Sequence, residues 1–159
     1  MPDRADTDLD YRMIELLFFA YRDFVGDADA VLEVDGLGRA HHRVLHFVLR
    51  HPGISVADLL EVLRITKQSL GPILRRLGEA DLLEARANAR DRRQRLLFLT
   101  EKGRNLTLQL TRMQSRRVGL ALDRAAAETD LGPASRAAVE AFLLAMIEPD
   151  AREHVSRLR

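Results

Sequence analysis

Between residues 65 and 100 a helical pattern gives way to two short strand patterns joined by a strongly basic tip, an order that few small folds accommodate. Leu70, Ile73, Leu74 and Leu77 recur at i, i+3, i+4 and i+7, so one stripe packs inward while Lys67, Gln68, Arg75 and Arg76 stay polar. Thr66 is placed to cap this helix, with Lys67, Gln68 and Ser69 exposed in its first turn. Gly71-Pro72 interrupts the pattern, because a proline in a regular helix interior removes a backbone bond at a cost of about 3 kcal/mol. A kink or a shifted helix start is expected there. After Gly78-Glu79-Ala80-Asp81, residues Leu82 to Arg86 and Arg95 to Leu99 read as strands. The tip between them, Ala89 to Arg95, holds four arginines in seven residues: Arg90, Arg92, Arg93 and Arg95. A hairpin loop of that charge suits a phosphate-bearing partner.

The preceding chain supplies the other half of a helix-turn-helix. Arg39 to His51 reads as a helix with Val44, Leu45, Phe47, Val48 and Leu49 buried, stopped by His51-Pro52-Gly53. Ser55 caps a third helix carrying Val56, Leu59, Leu60 and Leu63, in a capping-box-like opening that has Asp58 in place of Glu. Arg64-Ile65 is then the turn into the polar-faced helix, and two short helices so joined are a helix-turn-helix. The fold class is therefore mainly α with a small two- or three-stranded β wing: a winged helix-turn-helix flanked by terminal helices.

Those flanks carry more apolar surface than the core can cover. After a tail at residues 1 to 7, Tyr11, Ile14, Leu17, Phe18, Tyr21, Phe24 and Val25 form a helical stripe to about residue 26, widened by Met13, Leu16 and Phe19. Gly26, Asp27 and Asp29 are expected to end it, with Gly36 and Gly38 marking the next turn. Thr100 caps a long helix from Glu101 to about Ala127, and Gly132-Pro133 opens another that is apolar on a broad face until Pro149. A partner subunit is the natural cover for such helices. The division expected is residues 1–36 as tail and dimerisation helix, 37–100 as winged helix-turn-helix, and 101–159 as dimerisation helices.

Charge agrees with this division. The formal net charge is only +1, yet residues 67–104 hold ten Lys and Arg against five Asp and Glu, which leaves the rest of the chain acidic. The absence of cysteine removes disulfides, thiolate catalysis and cysteine-based peroxide sensing. No apolar run reaches the roughly 18 residues of a membrane span, and the polar start MPDRADTDLD lacks the form of a signal peptide, so a cytoplasmic protein without a membrane partner is expected.

Three stretches resemble the MarR family of bacterial transcription regulators. Pro52 to Leu60 resembles its first helix-turn-helix element, and Ile65 to Leu77 its recognition helix. The most specific is Asp91-Arg92-Arg93-Gln94-Arg95-Leu96-Leu97-Phe98-Leu99-Thr100 with Gly103, similar to the family's wing pattern. The resemblance implies a homodimer reading a pseudo-palindromic operator in double-stranded DNA, usually as a repressor released by a small-molecule effector. Carried over by motif, the wing residue that enters the minor groove is Arg93, with Asp91 orienting it. The DNA-contacting set is then Thr66, Lys67, Gln68, Ser69, Arg75, Arg76, Arg90, Asp91, Arg92, Arg93 and Arg95. An effector cleft is expected where the first and second helices meet the base of the winged domain, lined by Tyr21, His41, His42 and Arg43.

Other classes fit less well. His42 and His46 stand at i, i+4 and could offer a metal two ligands, which makes a zinc-responsive regulator the alternative. No third ligand is assured, so no metal or cofactor is expected. No nucleophile-elbow, phosphate-loop or metalloprotease pattern occurs, which argues against an enzyme. A winged helix used only for protein contact has no need of the basic wing.

Overall fold

The computed structural model describes residues 9–157, so the tail expected at residues 1 to 7 lies outside the described residues. In order come α1 (Tyr11–Glu33), α2 (Arg39–Arg50), β1 (Ile54–Ser55), α3 (Val56–Leu63), α4 (Lys67–Glu79), β2 (Leu83–Ala87), β3 (Arg95–Leu99), α5 (Glu101–Glu128), a 3-10 turn (Gly132–Ala134), α6 (Ser135–Met146) and α7 (Pro149–Arg157).

The caps fall where polar side chains can take the orphan amides of a first helical turn. Ser55 Oγ accepts from the Asp58 amide at 3.1 Å and donates to the Asp58 carboxylate at 2.7 Å. Thr66 Oγ1 accepts from the Ser69 amide at 3.1 Å, and Thr100 Oγ1 from the Gly103 amide at 3.0 Å. Each such bond contributes about 1 kcal/mol.

One expectation about helix breaks is corrected outright, and of the two alternatives at Gly71-Pro72 the shifted start is corrected. Gly26, Asp27 and Asp29 do not end α1, which runs on to Glu33. Tertiary partners hold the extra turns: Val25, Ala28 and Leu32 are buried, Asp27 accepts from Arg117 of α5, and Asp29 accepts from Arg39 of α2. Nor does Gly71-Pro72 shift the start of α4, which begins at Lys67 and continues through Pro72 to Glu79. A side chain before proline normally clashes with the proline ring in the helical region. Gly71 has none, and a Cβ there would meet no other part of the protein, so its role is local to the Gly-Pro pair.

The wing is a three-stranded antiparallel sheet in the order β1-β3-β2. Leu83 pairs with Leu99 and Ala87 with Arg95 across β2 and β3, while Ile54 pairs with Leu97 across β1 and β3. Gly53 turns the chain into β1 at φ +84°, a left-handed conformation, and Phe98 Cζ lies 3.2 Å from where its Cβ would be. The core joins helices to wing: Val44, Leu45, Val48, Leu59, Leu70, Leu77, Leu82 and Leu97 are all but fully buried, with Leu110 of α5 beneath them. By contrast Phe18 is 69% exposed, and Phe19, Tyr21, Phe142, Leu143 and Met146 are exposed as well.

Candidate nucleic-acid interface

The start of α4 presents the residues expected there. Thr66, Lys67, Gln68 and Ser69 are all exposed. Thr66 and Ser69 are committed to the cap, their hydroxyl oxygens 2.9 Å apart. Lys67 and Gln68 make no side-chain hydrogen bond or ion pair among the described residues, so their amide and ammonium groups are free to meet base edges.

The hairpin tip is built by its own polar residues. The Asn88 amide donates to the Gln94 carbonyl at 3.0 Å, and Asn88 Nδ2 donates to Gln94 Oε1 at 2.9 Å, closing the loop. Asn88 Oδ1 accepts from the Arg90 amide and Asp91 Oδ1 from the Arg93 amide, both at 3.0 Å. These two side chains fix successive turns. Asp91 Oδ1 also lies 3.7 Å from Arg93 Nε, while the Arg93 side chain is 97% exposed. Asp91 thus shapes the backbone under Arg93 and leaves its guanidinium in solvent. Arg90, Arg92 and Arg95 are exposed with no side-chain partner among the described residues. The closing roles of Asn88 and Gln94 were missed in the sequence, although an Asn at a strand end is a familiar turn signal.

Arg75 and Arg76, adjacent in sequence, are placed differently. Arg75 is exposed without a partner among the described residues, whereas half-buried Arg76 donates from Nη2 to the Asp35 carbonyl at 2.5 Å. Arg76 therefore ties the recognition helix to the α1–α2 turn. On β2, Arg86 lies 4.5 Å over the Phe98 ring and pairs with Glu84, bracing the base of the wing.

A cavity of about 220 Å³ opens between α1, α2 and α5, and Tyr21, His42 and Arg43 are among the residues that line it. Val25, Arg39, His46, Gln114 of α5 and the aromatic rings of Phe24 and Phe47 complete the walls. His41 lies elsewhere: its Nδ1 accepts from the Gly38 amide at 3.0 Å and caps α2. Burial holds the His42 and His46 pKa values below the ordinary histidine value, and for His46 the charges of nearby His42, Arg50 and His51 push the same way. For His41, burial comes first and the Arg76 charge second. These shifts favour the neutral form of His42 and His46, so Arg39 and Arg43 are the stronger cations of the cavity. No group of three His, Cys, Asp or Glu placed to hold a metal occurs among the described residues. None of the described helices is long and apolar enough to cross a membrane.

Two helices joined by a tight turn, a three-stranded sheet and an arginine-rich hairpin define a winged helix-turn-helix protein. The MarR family profile matches residues 35–94. Over 146 residues the chain is 44% identical to the HTH-type transcriptional regulator PetP of Rhodobacter capsulatus, a match covering 92% of this chain and 84% of that protein. The chain belongs to the MarR family of helix-turn-helix transcriptional regulators. Its fold is similar to the crystal structure of a MepR mutant from a multidrug resistant S. aureus clinical isolate, with a TM-score of 0.69 and 18% identity, covering 95% of this chain and 100% of that one. It is also similar to the transcriptional repressor CouR bound to a 23-mer DNA duplex, with a TM-score of 0.64 and 23% identity, covering 82% and 88%.

Proposed function

We propose that this regulator is a homodimeric repressor that binds a pseudo-palindromic operator in the cytoplasm and releases it when a small anionic ligand occupies the cavity between α1 and α2. The observation that carries the DNA reading is the wing tip: Arg90, Arg92, Arg93 and Arg95 all point charge at solvent, beside a recognition helix whose Lys67 and Gln68 are unengaged. Residues 37–100 then form the DNA-binding unit, and residues 1–36 and 101–159 the dimerisation unit. A protein reading DNA through two symmetric recognition helices requires half-site centres about 10 base pairs apart or a multiple of one helical turn. The zinc-responsive alternative gains no support, since the described residues hold no cluster of three candidate ligands. The family and the curated relative are transcription regulators, and no catalytic role is proposed.

Gel-shift titration across a salt series tests the interface, using a duplex selected by the protein from a randomised pool. Arg93→Ala is expected to weaken specific binding by about 1–3 kcal/mol and to reduce the salt slope by about 1, because it removes an exposed cation from the groove. Wild-type affinity for Arg93→Ala at physiological salt would show that the wing does not read DNA.

Arg75 and Arg76 give an internal contrast. Arg75→Ala is expected to weaken binding evenly across sequences and to lower the salt slope by about 1, as loss of a phosphate contact does. Arg76→Ala is expected to weaken binding with the slope unchanged, since its guanidinium serves the Asp35 carbonyl. Equal slope losses for the two variants would place both arginines on phosphate.

A further inference from the structure

The turn of the helix-turn-helix carries a cation outside the DNA-contacting set named above. Arg64 follows α3 at φ +51°, is exposed, and comes two residues before Thr66, the cap of the recognition helix. Consecutive Cα atoms are about 3.8 Å apart, so those of Arg64 and Lys67 lie within about 11 Å of each other. A groove that admits the first turn of α4 brings its flanking phosphates within reach of a side chain as long as that of Arg64.

That cation already has a partner in the free protein. Its Nη2 donates to Oδ2 of Asp150 in the first turn of α7, 86 residues further along the chain. Four Lys and Arg stand between residues 64 and 76, and among the described residues Arg64 is the one paired with a carboxylate. Lys67 and Arg75 have no such partner, and Arg76 donates to a carbonyl. The hydrogen bond from Arg64 holds the Asp150 carboxyl below its ordinary pKa, so the acid is charged where the pair is made. The place of α7 does not depend on this pair. Arg152 Nε donates to the Ile147 carbonyl at 2.8 Å and its Nη2 to the Ala145 carbonyl at 3.2 Å, closing the corner between α6 and α7.

The balance of strengths favours exchange of partners. The two side chains are 58% and 67% exposed, and an ion pair so open to solvent is weak. A phosphate accepts from a guanidinium as strongly as a carboxylate does, and its neutralisation also releases counterions condensed on DNA. DNA thus has the stronger claim on Arg64, less the cost of parting it from Asp150.

We propose that Arg64 is a further phosphate-contacting residue and that Asp150 competes with DNA for it, so that α7 restrains operator binding from within the same chain. The proposal rests on the DNA reading given above.

Gel-shift titration of the full chain on the selected duplex, repeated across a salt series, tests both parts. Asp150→Asn keeps the shape of the side chain, removes its charge, and is expected to tighten binding about two- to fivefold, the size of an exposed ion pair. Arg64→Ala is expected to weaken binding and to lower the salt slope by about 1. Alanine keeps a Cβ at the left-handed position, so the backbone strain there is unchanged. Asp150→Asn added to Arg64→Ala should have no further effect, since the two residues act as one pair. Glu148→Gln, which neutralises an exposed acid two residues earlier, should leave affinity at the wild-type level. An Asp150→Asn protein that binds the duplex as wild type does, or more weakly, overturns the competition and leaves the DNA reading standing. An equal gain from Glu148→Gln, or from Asp150→Asn when residue 64 is alanine, assigns the effect to general charge and overturns it as well. An unchanged salt slope for Arg64→Ala removes Arg64 from phosphate. A wild-type protein that selects no duplex overturns the DNA reading itself, and this proposal with it.

Discussion

Replacing Gly103 with alanine is expected to destabilise the protein by about 3 kcal/mol or more, lowering its melting temperature by about 10 °C. A Cβ at this position would lie 1.9 Å from the Leu82 carbonyl oxygen, 2.8 Å from its carbon and 3.0 Å from the Leu82 Cα. All three obstacles are backbone atoms, so no side-chain rotation relieves them. Leu82 cannot retreat, because its side chain is 2% exposed within the core and its carbonyl accepts from the Thr100 amide at 3.2 Å. Around this contact the end of the wing is locked to α5: Thr100 Oγ1 donates to the Asp81 carbonyl at 2.7 Å and Lys102 Nζ to the Ala80 carbonyl at 2.8 Å. Accommodating a methyl group means moving the first turn of α5 off the winged domain. A calorimetric scan in which Gly103→Ala melts within 2 °C of wild type, a margin of about 1 kcal/mol or less, would mean that α5 slides without penalty.

Gly103 also shows what the sequence discloses and what it withholds. As part of the wing pattern it marks the family, but nothing in the string of residues indicates that Leu82 lies against it. The same division holds along the chain. Periodicity revealed α2, α3, α4 and α5 because each has an apolar stripe long enough to be read, and Ser55, Thr66 and Thr100 fixed three helix starts through local capping chemistry. The end of α1 was not legible. Gly26 costs about 1 kcal/mol in a helix interior, and the acidic residues after it resemble a stop. What overrides them is the pairing with Arg117, some 90 residues away, and with Arg39 on the next helix. Strand β1 has only two residues, too few to show alternation, and exists through its pairing with β3. Helix α7 begins at Pro149, a residue that in the sequence marks a helix end but is equally suited to opening one.

The proposed site divides along the same line. Basic residues at the wing tip and polar residues in the first turn of α4 are visible because exposure is the default for their types. Which of two adjacent arginines faces solvent depends on a carbonyl in the α1–α2 turn, and sequence spacing cannot show it. Likewise His41 and His42 look alike as neighbours on α2, yet one caps the helix and the other lines the cavity.

The largest effect on DNA binding is expected from breaking the proposed dimer. Tyr11, Ile14, Phe18 and Tyr21 form one exposed stripe along α1, and Val139, Phe142, Leu143 and Met146 form another along α6. Their spacing is that of buried helix faces, and a soluble monomer seldom leaves two such stripes uncovered. In the proposed homodimer a second copy of the chain would cover both with a self-complementary two-fold interface. Introducing charge at the centre of each stripe, as Phe18→Asp with Phe142→Asp, is expected to give a folded species of 18.0 kDa in light scattering where wild type gives twice that mass. The core cluster contains neither phenylalanine, so helical circular dichroism should persist. Operator affinity should then fall by about 10²–10⁴-fold, because binding of the second winged domain no longer follows from binding of the first. Affinity for an isolated half-site should change little. A wild-type protein that is monomeric at micromolar concentration, or a charged variant that remains dimeric with full operator affinity, would remove this interface from the account.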